Sequence, residues 1–161
     1  MIQPVPAVPV PLTVDHDTSA FTCSHESLSV WLVKRALANA ASGASRTYVA
    51  CDEQLRVIGY YALAAGSIAA QAVPGRLRRN MPDPLPVIVL GRLAVHRDCS
   101  GRGIGSGLLK DAVLRSMQAA ELIGVRALLC HAIDEQAKAF YLKHGFVESP
   151  LDPLAVMAGL R

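Results

Sequence analysis

The chain has 161 residues, 52% of them hydrophobic and 18% charged, so it can bury a core and intrinsic disorder is not expected. No apolar run is long enough to span a membrane, and the prolines at positions 4, 6, 9 and 11 are not typical of a secretory signal. The net charge of +3 is too small to indicate a class of partner. We expect one cytoplasmic domain over residues 1–161, with an extended lead-in at 1–11 and a C-terminal tail at 150–161.

The four cysteines lie far apart along the chain and form no C-x-x-C pair (Cys23, Cys51, Cys99 and Cys130). Without an export signal, free thiols in a reducing compartment are the expected state. Structural zinc sites usually bring closely paired ligands, so the same spacing predicts no metal site.

The first half of the chain predicts a helix followed by a hairpin. The helix is expected from Cys23 to Ala41, because Ser24 can cap it and apolar residues then recur near helical spacing (Leu28, Trp31, Leu32 and Leu37). Two β-rich runs follow, Thr47–Cys51 and Val57–Leu63, separated by three polar residues. This arrangement indicates an antiparallel hairpin.

The middle of the chain predicts a proline-rich loop and then a buried strand. Four prolines fall within residues 74–86, where a short helical turn is expected around Arg76–Asn80. Val87–Val95 is continuously apolar except for Gly91 and Arg92, and a glycine inside a strand often marks a bulge or a close approach to a ligand.

The last third predicts two helices alternating with strands. A helix is expected at about Gly103–Leu122, a buried strand at Ala127–Ala132, and a helix from the cap Asp134 to Lys143 that ends at Gly145, before a last strand at Phe146. The fold class is therefore mixed α/β (α+β), with a central sheet flanked by helices.

A glycine-rich turn, Ser100–Gly107, separates the central strand from the long helix. Backbone N–H groups at a helix N-terminus favour an anion, and glycines allow the backbone to approach a pyrophosphate. The turn lacks the Gly-Lys-Ser/Thr of a Walker A loop, and Ser106 or Leu108 occupies the third glycine position of the dinucleotide fingerprint. A tight turn without a ligand remains an alternative.

Two segments, Leu90–Leu109 and Ala137–Phe146, carry a family resemblance. The first resembles the central strand and pyrophosphate loop of the GNAT acetyltransferases, and the second resembles their A-x-x-F-Y-x-x-x-G-F signature. The resemblance implies the GNAT fold and acetyl-CoA as the cofactor. It implies cofactor contacts at Leu93, Ala94, Val95, Ser100, Gly101, Arg102, Gly103, Ile104, Gly105, Ser106 and Phe140. Ser100 departs from the long polar residue usual in the family.

A narrower resemblance joins the chain to the GNAT toxins of bacterial type II toxin–antitoxin modules. The segments that carry it are Ser45–Val49, Gly59–Leu63, Arg79–Pro86, Gly91–Val95 and His131–Ala137. It implies acetylation of the α-amine of aminoacyl-tRNA, which blocks translation. It also implies neutralisation by a ribbon-helix-helix antitoxin and a homodimer.

The family motif implies that Tyr141 protonates the departing thiolate, and a phenol pKa near 10 suits this role. The strand Val87–Val95 carries no carboxylate that can act as a general base. A lysine amine, with a pKa of about 10.4, needs such a base more than an α-amine near 7.7–8.0 does. The missing base therefore favours an α-amino substrate.

Two basic stretches can face an anion. Residues 71–102 hold six arginines and two aspartates, and residues 30–50 hold three basic residues and no acid. Under the tRNA hypothesis the phosphate contacts are Arg76, Arg78, Arg79, Arg92, Lys34 and Arg35. An ordinary solvated surface is the alternative.

Two other functions remain open. A GNAT enzyme that acetylates a protein N-terminus or a small amine is the first, although a polyamine or aminoglycoside site needs acidic residues where this chain has arginines. The second is a protein that binds acyl-CoA without catalysis, or that mainly represses DNA together with its antitoxin. His96, His131 and Cys130 are assigned no chemical role.

Overall fold

The computed structural model describes residues 8–161, which form seven strands and five α-helices in this part of the chain. The elements are β1 Val10–Pro11, α1 Glu26–Lys34, α2 Ala36–Ser42, β2 Arg46–Cys51, β3 Val57–Ile68, α3 Gly75–Arg78, β4 Leu85–Val95, α4 Ile104–Ala120, β5 Ala127–His131, α5 Glu135–Lys143, β6 Val147–Glu148 and β7 Ala155–Gly159. The strand order is β1-β2-β3-β4-β5-β7-β6. The predicted mixed α/β class with a central sheet is confirmed.

The residues fall into two compact units, the first containing those up to Ala64 with Arg92–Ala112 and the second containing Ala65–Gly91 with Val113–Arg161. In the first unit β1, β2 and β3 pair antiparallel, and β2 faces β3 with Tyr48 opposite Tyr61. The predicted hairpin is therefore confirmed. Residues 1–7 of the predicted lead-in lie outside the described residues, and Val10–Pro11 form an edge strand.

The single helix expected over Cys23–Ala41 is wrong, because Arg35 leaves the helical conformation with φ −123° and ψ −28°. The first helix begins after His25, whose side chain makes no capping hydrogen bond, so Ser24 is not the cap. The break also changes the face that α2 turns inward. Ala36 is fully buried, while Leu37, one of the apolar residues that recur near helical spacing, is 40% exposed.

The first part of α4 packs closely on β3 at Gly59. A Cβ at this position would lie 2.9 Å from Leu108 Cδ1 and 3.1 Å from Ile104 Cγ2. The Tyr61 hydroxyl donates a hydrogen bond to Asp111 Oδ2 at 2.5 Å. These contacts hold the helix start, and with it the glycine-rich turn, at a fixed place on the sheet.

The second unit contains a parallel pair, with Val87 of β4 opposite Ala127 of β5, and an antiparallel pair between β5 and β7. The predicted order of elements lacks β7, and the segment expected to be a C-terminal tail forms this strand between β5 and β6. Ala155, Val156 and Met157 are buried there. The strand has no polar alternation, since both of its faces are covered, so it lacks the period-two signal.

The helix α5 begins and ends as predicted. Asp134 accepts a hydrogen bond from the Ala137 N–H at 2.8 Å, and Gly145 follows the helix with φ +92°. In the proline-rich segment the predicted turn of helix is present as α3, where Leu77 is buried and its carbonyl accepts from Arg126 Nε at 2.9 Å. Within residues 8–161, none of the helices combines the length and apolarity of a membrane span.

Candidate active site

The glycine-rich turn adopts backbone conformations that its glycines permit. Gly101 and Gly103 have φ values of +79° and +77°, in the left-handed region that other residues avoid. Residues 100–103 of the turn are exposed, and the 17-residue helix α4 starts directly after them at Ile104, without an acidic residue in its first turn. The N–H groups of a first helical turn have no acceptor within the helix. The turn therefore presents an electropositive helix end to solvent, with Arg102 exposed beside it.

The end of β4 leads into this turn within the same unit. Ala94 is buried, and Leu93 and Val95 are half-buried on either side of it. His96, the next residue, donates its N–H to the Ile58 carbonyl at 2.7 Å, which ties the strand end to β3. The structure thus brings together the predicted cofactor residues of β4 and those of the glycine-rich turn.

His96 is held by the fold. Its Nδ1 accepts from the Asp98 N–H at 3.0 Å, and its Nε2 lies 3.1 Å from the Ala20 carbonyl oxygen. Its ring also meets the Phe21 ring edge-on, at 5.8 Å between centroids. Both ring nitrogens of His96 are thus engaged by the fold.

Arg92 belongs to an aromatic stack in the first unit. Its guanidinium carbon lies 4.3 Å from the centroid of the Trp31 ring. The Tyr60 ring stacks on the Trp31 ring, with 6.0 Å between centroids and 12° between planes. The Tyr60 hydroxyl donates to the Leu28 carbonyl at 2.6 Å. The sequence singled out Arg92 but not these partners, because nothing in the pattern pairs residue 31 with residue 92.

The other predicted tRNA contacts are exposed. Lys34 and Arg35 lie at the junction of α1 and α2 in the first unit, where Lys34 lines an open cleft of about 500 Å³ together with Arg97 and Glu26. Arg76, Arg78 and Arg79 lie on α3 and directly after it, in the second unit. The side chains of these five residues can reach a polyanion because all of them are exposed.

Tyr141 lies on α5 in the second unit and is 5% exposed. Its ring packs against those of Phe140 and Phe146, at centroid distances of 5.3 and 5.4 Å. Burial raises the pKa of Tyr141 far above its usual value. The charge of the Cys130 thiolate and the hydrogen bond to Cys130 raise it further. The phenol therefore holds its proton at neutral pH, and the raised pKa makes it a weaker acid than a solvated tyrosine.

Cys130, on β5, is the partner of the Tyr141 hydroxyl. Burial raises the pKa of this thiol to about 11, and the hydrogen bond that it accepts from Tyr141 partly opposes the shift. Cys130 is therefore a neutral thiol under physiological conditions. The sequence assigns Cys130 no role, since a cysteine in a buried strand does not indicate which residues will lie beside it.

Phe140, predicted as a cofactor contact, is half-buried beside Tyr141. Its ring lies 4.6 Å from that of His144, whose Nδ1 is 2.8 Å from the Phe140 carbonyl oxygen. The second unit therefore brings Phe140 and Tyr141 together in one aromatic cluster with Phe146.

Comparisons with known proteins point in one direction. A family model described as "Acetyltransferase (GNAT) domain" matches residues 43–148. A protein of Mycobacterium tuberculosis named "tRNA-acetylating toxin" is 54% identical over 141 residues, which cover 88% of this chain and 84% of that protein.

Two solved structures are similar over most of their length. The structure of AtaT complexed with acetyl-methionyl-tRNAfMet is 26% identical, with a TM-score of 0.88, and covers 94% of this chain and 93% of its own. A tyrosine-to-phenylalanine mutant of the AtaT toxin, bound to the C-terminus of the antitoxin AtaR and acetyl-CoA, is 25% identical with a TM-score of 0.80. That match covers 94% of this chain and 92% of the other.

Proposed function

This chain belongs to the GNAT family of acetyltransferases, and we propose that it transfers the acetyl group of acetyl-CoA to the α-amine of the amino acid on charged tRNA. The observation that carries this proposal is the 54% identity to the tRNA-acetylating toxin over most of both chains. An acetylated α-amine is an amide and no longer a nucleophile, so it cannot form the next peptide bond. The protein thereby stops translation and acts as a toxin.

The cofactor is assigned to the turn and the strand end of the first unit. The exposed helix end at residues 101–106 suits the pyrophosphate of acetyl-CoA, because its charge and its glycine backbone favour a phosphate group. Leu93, Ala94 and Val95 supply the backbone groups that suit the pantetheine arm. The thioester of the bound cofactor supplies an activated acetyl group.

Tyr141 is the proposed proton donor. The amine nitrogen attacks the thioester carbon, the C–S bond breaks, and the thiolate that leaves takes a proton from the phenol. The nitrogen loses its proton to solvent, which restores the balance. Burial holds the proton on Tyr141 at neutral pH, so this residue does not act as a base, and it releases the proton only as negative charge develops on the sulfur.

The substrate amine supplies its own reactivity. The strand β4 carries no carboxylate, and both His96 nitrogens are engaged by the fold. An α-amine has a pKa near 7.7–8.0, and esterification of the amino acid to tRNA lowers it further, since an ester withdraws electron density. A substantial fraction of the amine is therefore neutral at physiological pH without a base.

The proposed partners are tRNA, an antitoxin and a second copy of the chain. The exposed cations Arg76, Arg78, Arg79, Lys34 and Arg35, together with Arg92, suit the phosphates of tRNA. The antitoxin is of the ribbon-helix-helix type, and the toxin is a homodimer. An AtaT structure that contains antitoxin and acetyl-CoA supports the antitoxin. Because charged tRNA is used in the cytoplasm, the cytoplasm is also the proposed location of the protein.

Labelled acetyl-CoA tests the proposal directly. The purified protein is incubated with a pool of charged tRNAs and, separately, with uncharged tRNA. The Tyr141→Phe variant is assayed in parallel. Label that appears only on charged tRNA, and that the variant does not transfer, supports the proposal. Transfer to peptides or small amines, with none to tRNA, would leave the acetyltransferase activity in place but contradict the assignment of charged tRNA as the substrate.

A further inference from the structure

The stack of Tyr60, Trp31 and Arg92 holds a cation in a fixed place. From its geometry we infer that Trp31 is a positioning residue, which orders the Arg92 guanidinium to receive a phosphate of the substrate tRNA near the aminoacylated end. This inference rests on the proposed function for the identity of the phosphate, but the order within the stack does not depend on it.

The stack is anchored at its inner end. Tyr60 is fully buried on β3, and its hydroxyl is bonded to the Leu28 carbonyl at 2.6 Å. Leu28 lies three residues before Trp31 on α1, so Tyr60 fixes the same face of the helix that carries the indole. The Trp31 ring is therefore held in one orientation before any ligand arrives.

The Trp31 ring contacts both Tyr60 and Arg92. Tyr60 stacks at 6.0 Å and the Arg92 guanidinium lies at 4.3 Å from the centroid. Trp31 attracts the guanidinium electrostatically, because the face of the indole ring carries partial negative charge.

Arg92 keeps its hydrogen-bonding edge for a ligand. Among residues 8–161 its described partner is the Trp31 ring, with no carboxylate paired to it, and residues 1–7 contain no acid. The contact with the Trp31 ring leaves the guanidinium N–H donors of Arg92 available to a ligand. Two parallel donors match the geometry of phosphate oxygens.

The location fits the end of the tRNA that reacts. Arg92 directly precedes Leu93–Val95, the strand segment assigned to the pantetheine arm, and successive strand residues advance by about 3.3 Å. Gly91, on its other side, is exposed, and a Cβ there would meet no atom within 4 Å. Lys34 follows Trp31 by three residues on α1 and adds a second cation on the same face.

Trp31 is the single tryptophan of the chain, so its fluorescence reports on this stack alone. In the absence of any substrate, Arg92→Gln removes the cation from the ring, and we expect a clear change in emission intensity or maximum. Lys34→Gln is the matched control, because it removes a cation from the same helix without a ring contact, and its emission should equal that of the unaltered protein. Emission that Arg92→Gln leaves unchanged would overturn the stack.

Kinetics with charged tRNA test the positioning role. We expect Trp31→Leu to raise KM for charged tRNA roughly 5- to 30-fold, in line with a partly desolvated cation–π contact, with KM for acetyl-CoA unchanged. Trp31→Phe retains a weaker aromatic face and should restore part of the affinity. Phe21→Leu is the structural control, because Phe21 packs edge-on against Tyr60 at 5.6 Å and does not belong to the cation contact. It should lower Tm but not raise KM for tRNA.

The double variant separates positioning from general packing. If Trp31 acts through Arg92, Trp31→Leu combined with Arg92→Gln raises KM no more than Arg92→Gln alone, and each single variant lowers the salt dependence by about one phosphate contact. Additive effects would overturn the inference. If charged tRNA is no substrate at all, the proposed function fails while the emission change with Arg92→Gln still stands, so the two failures are distinguishable.

Discussion

The glycine-rich turn of the first unit depends on backbone conformation, whereas the Tyr141 pocket of the second unit, formed by Phe140, Phe146 and Cys130 around Tyr141, depends on side-chain packing. The turn is exposed and made of backbone, with Gly101 and Gly103 at positive φ. Tyr141 and Cys130 are 5% and 3% exposed, and their chemistry depends on which side chains surround them. A short run of residues can specify a binding site made of backbone groups, whereas a buried proton donor requires side chains from distant parts of the chain to pack around it.

The difference also separates two kinds of chemistry. The turn is suited to hold an anion that is already charged, so it needs fixed N–H groups and no change of protonation. Tyr141 must change its protonation in the reaction, and burial decides how firmly it keeps its proton. Variants of the turn should therefore affect cofactor binding, and variants of the pocket should affect the chemical step.

The largest expected effect comes from Tyr141→Phe. Phenylalanine fills nearly the same volume among Phe140 and Phe146, so the fold should persist, but no proton donor remains. We expect kcat to fall about 10²- to 10⁴-fold, with KM for acetyl-CoA within about twofold of its original value. Release of free thiol from acetyl-CoA measures both. A raised KM with an unchanged kcat would break the comparison, since it would make Tyr141 a binding residue.

Gly59→Ala should produce the next largest effect, and it tests whether the turn is as independent of packing as its backbone suggests. The added Cβ would lie 2.9 Å from Leu108 Cδ1 and 3.1 Å from Ile104 Cγ2, so the start of α4 must move. We expect a loss of about 1–3 kcal/mol in the free energy of unfolding, together with weaker acetyl-CoA binding.

Chemical denaturation and a binding titration measure the two effects of Gly59→Ala. The control is Gly124→Ala, at an exposed position where a Cβ meets nothing within 4 Å. A stable Gly59→Ala protein with unaltered cofactor affinity would show that the turn does not depend on this close contact.

Gly103→Ala isolates the backbone conformation of the turn. A Cβ here meets no atom within 4 Å, but the φ of +77° is strained for alanine by about 1–2 kcal/mol. We expect KM for acetyl-CoA to rise roughly 5- to 30-fold while kcat stays within about twofold. Gly107→Ala is the matched control, because it lies four residues on inside α4, with equal space and no positive φ, and alanine favours a helix. Equal effects from both variants would contradict the backbone argument.

The turn could be predicted because its information is local. Glycines at the start of a helix after an apolar strand specify both the conformation and the charge of the site, and the structure places Gly101 and Gly103 accordingly. The cap at Asp134 and the stop at Gly145 were predictable for the same reason. Each depends on residues within one turn of helix.

The rest depends on contacts between distant residues. Nothing in the sequence pairs Trp31 with Arg92 or Cys130 with Tyr141, since these contacts exist only after helices have packed on the sheet. The break at Arg35 and the strand β7 were missed because apolar periodicity alone does not distinguish a kinked helix from a straight one, or a buried strand from a tail.

Cys130→Ala gives the smallest effect and sharpens the comparison within the pocket itself. The thiol accepts a hydrogen bond from Tyr141, so its loss should disorder the phenol and lower kcat roughly 2- to 10-fold, the range for one hydrogen bond. KM for acetyl-CoA should not change, because Cys130 is not among the residues assigned to cofactor binding. Cys130→Ser, which keeps an acceptor, should recover part of the rate. A rate indifferent to both variants would show that Cys130 only fills space beside Tyr141.

The pH dependence of stability tests the burial of the same thiol. Its pKa is about 11 in the folded protein and near 8.5 in an unfolded chain. Below pH 8.5 both states hold the proton, so the stabilising contribution is complete there. It is lost as the pH rises towards 11, because the unfolded state releases its proton first, and by pH 10 the loss is about 1–2 kcal/mol. Cys130→Ala should flatten this decline in urea unfolding measured from pH 8 to 10, whereas an unchanged slope would mean that the thiol is solvated in the native protein.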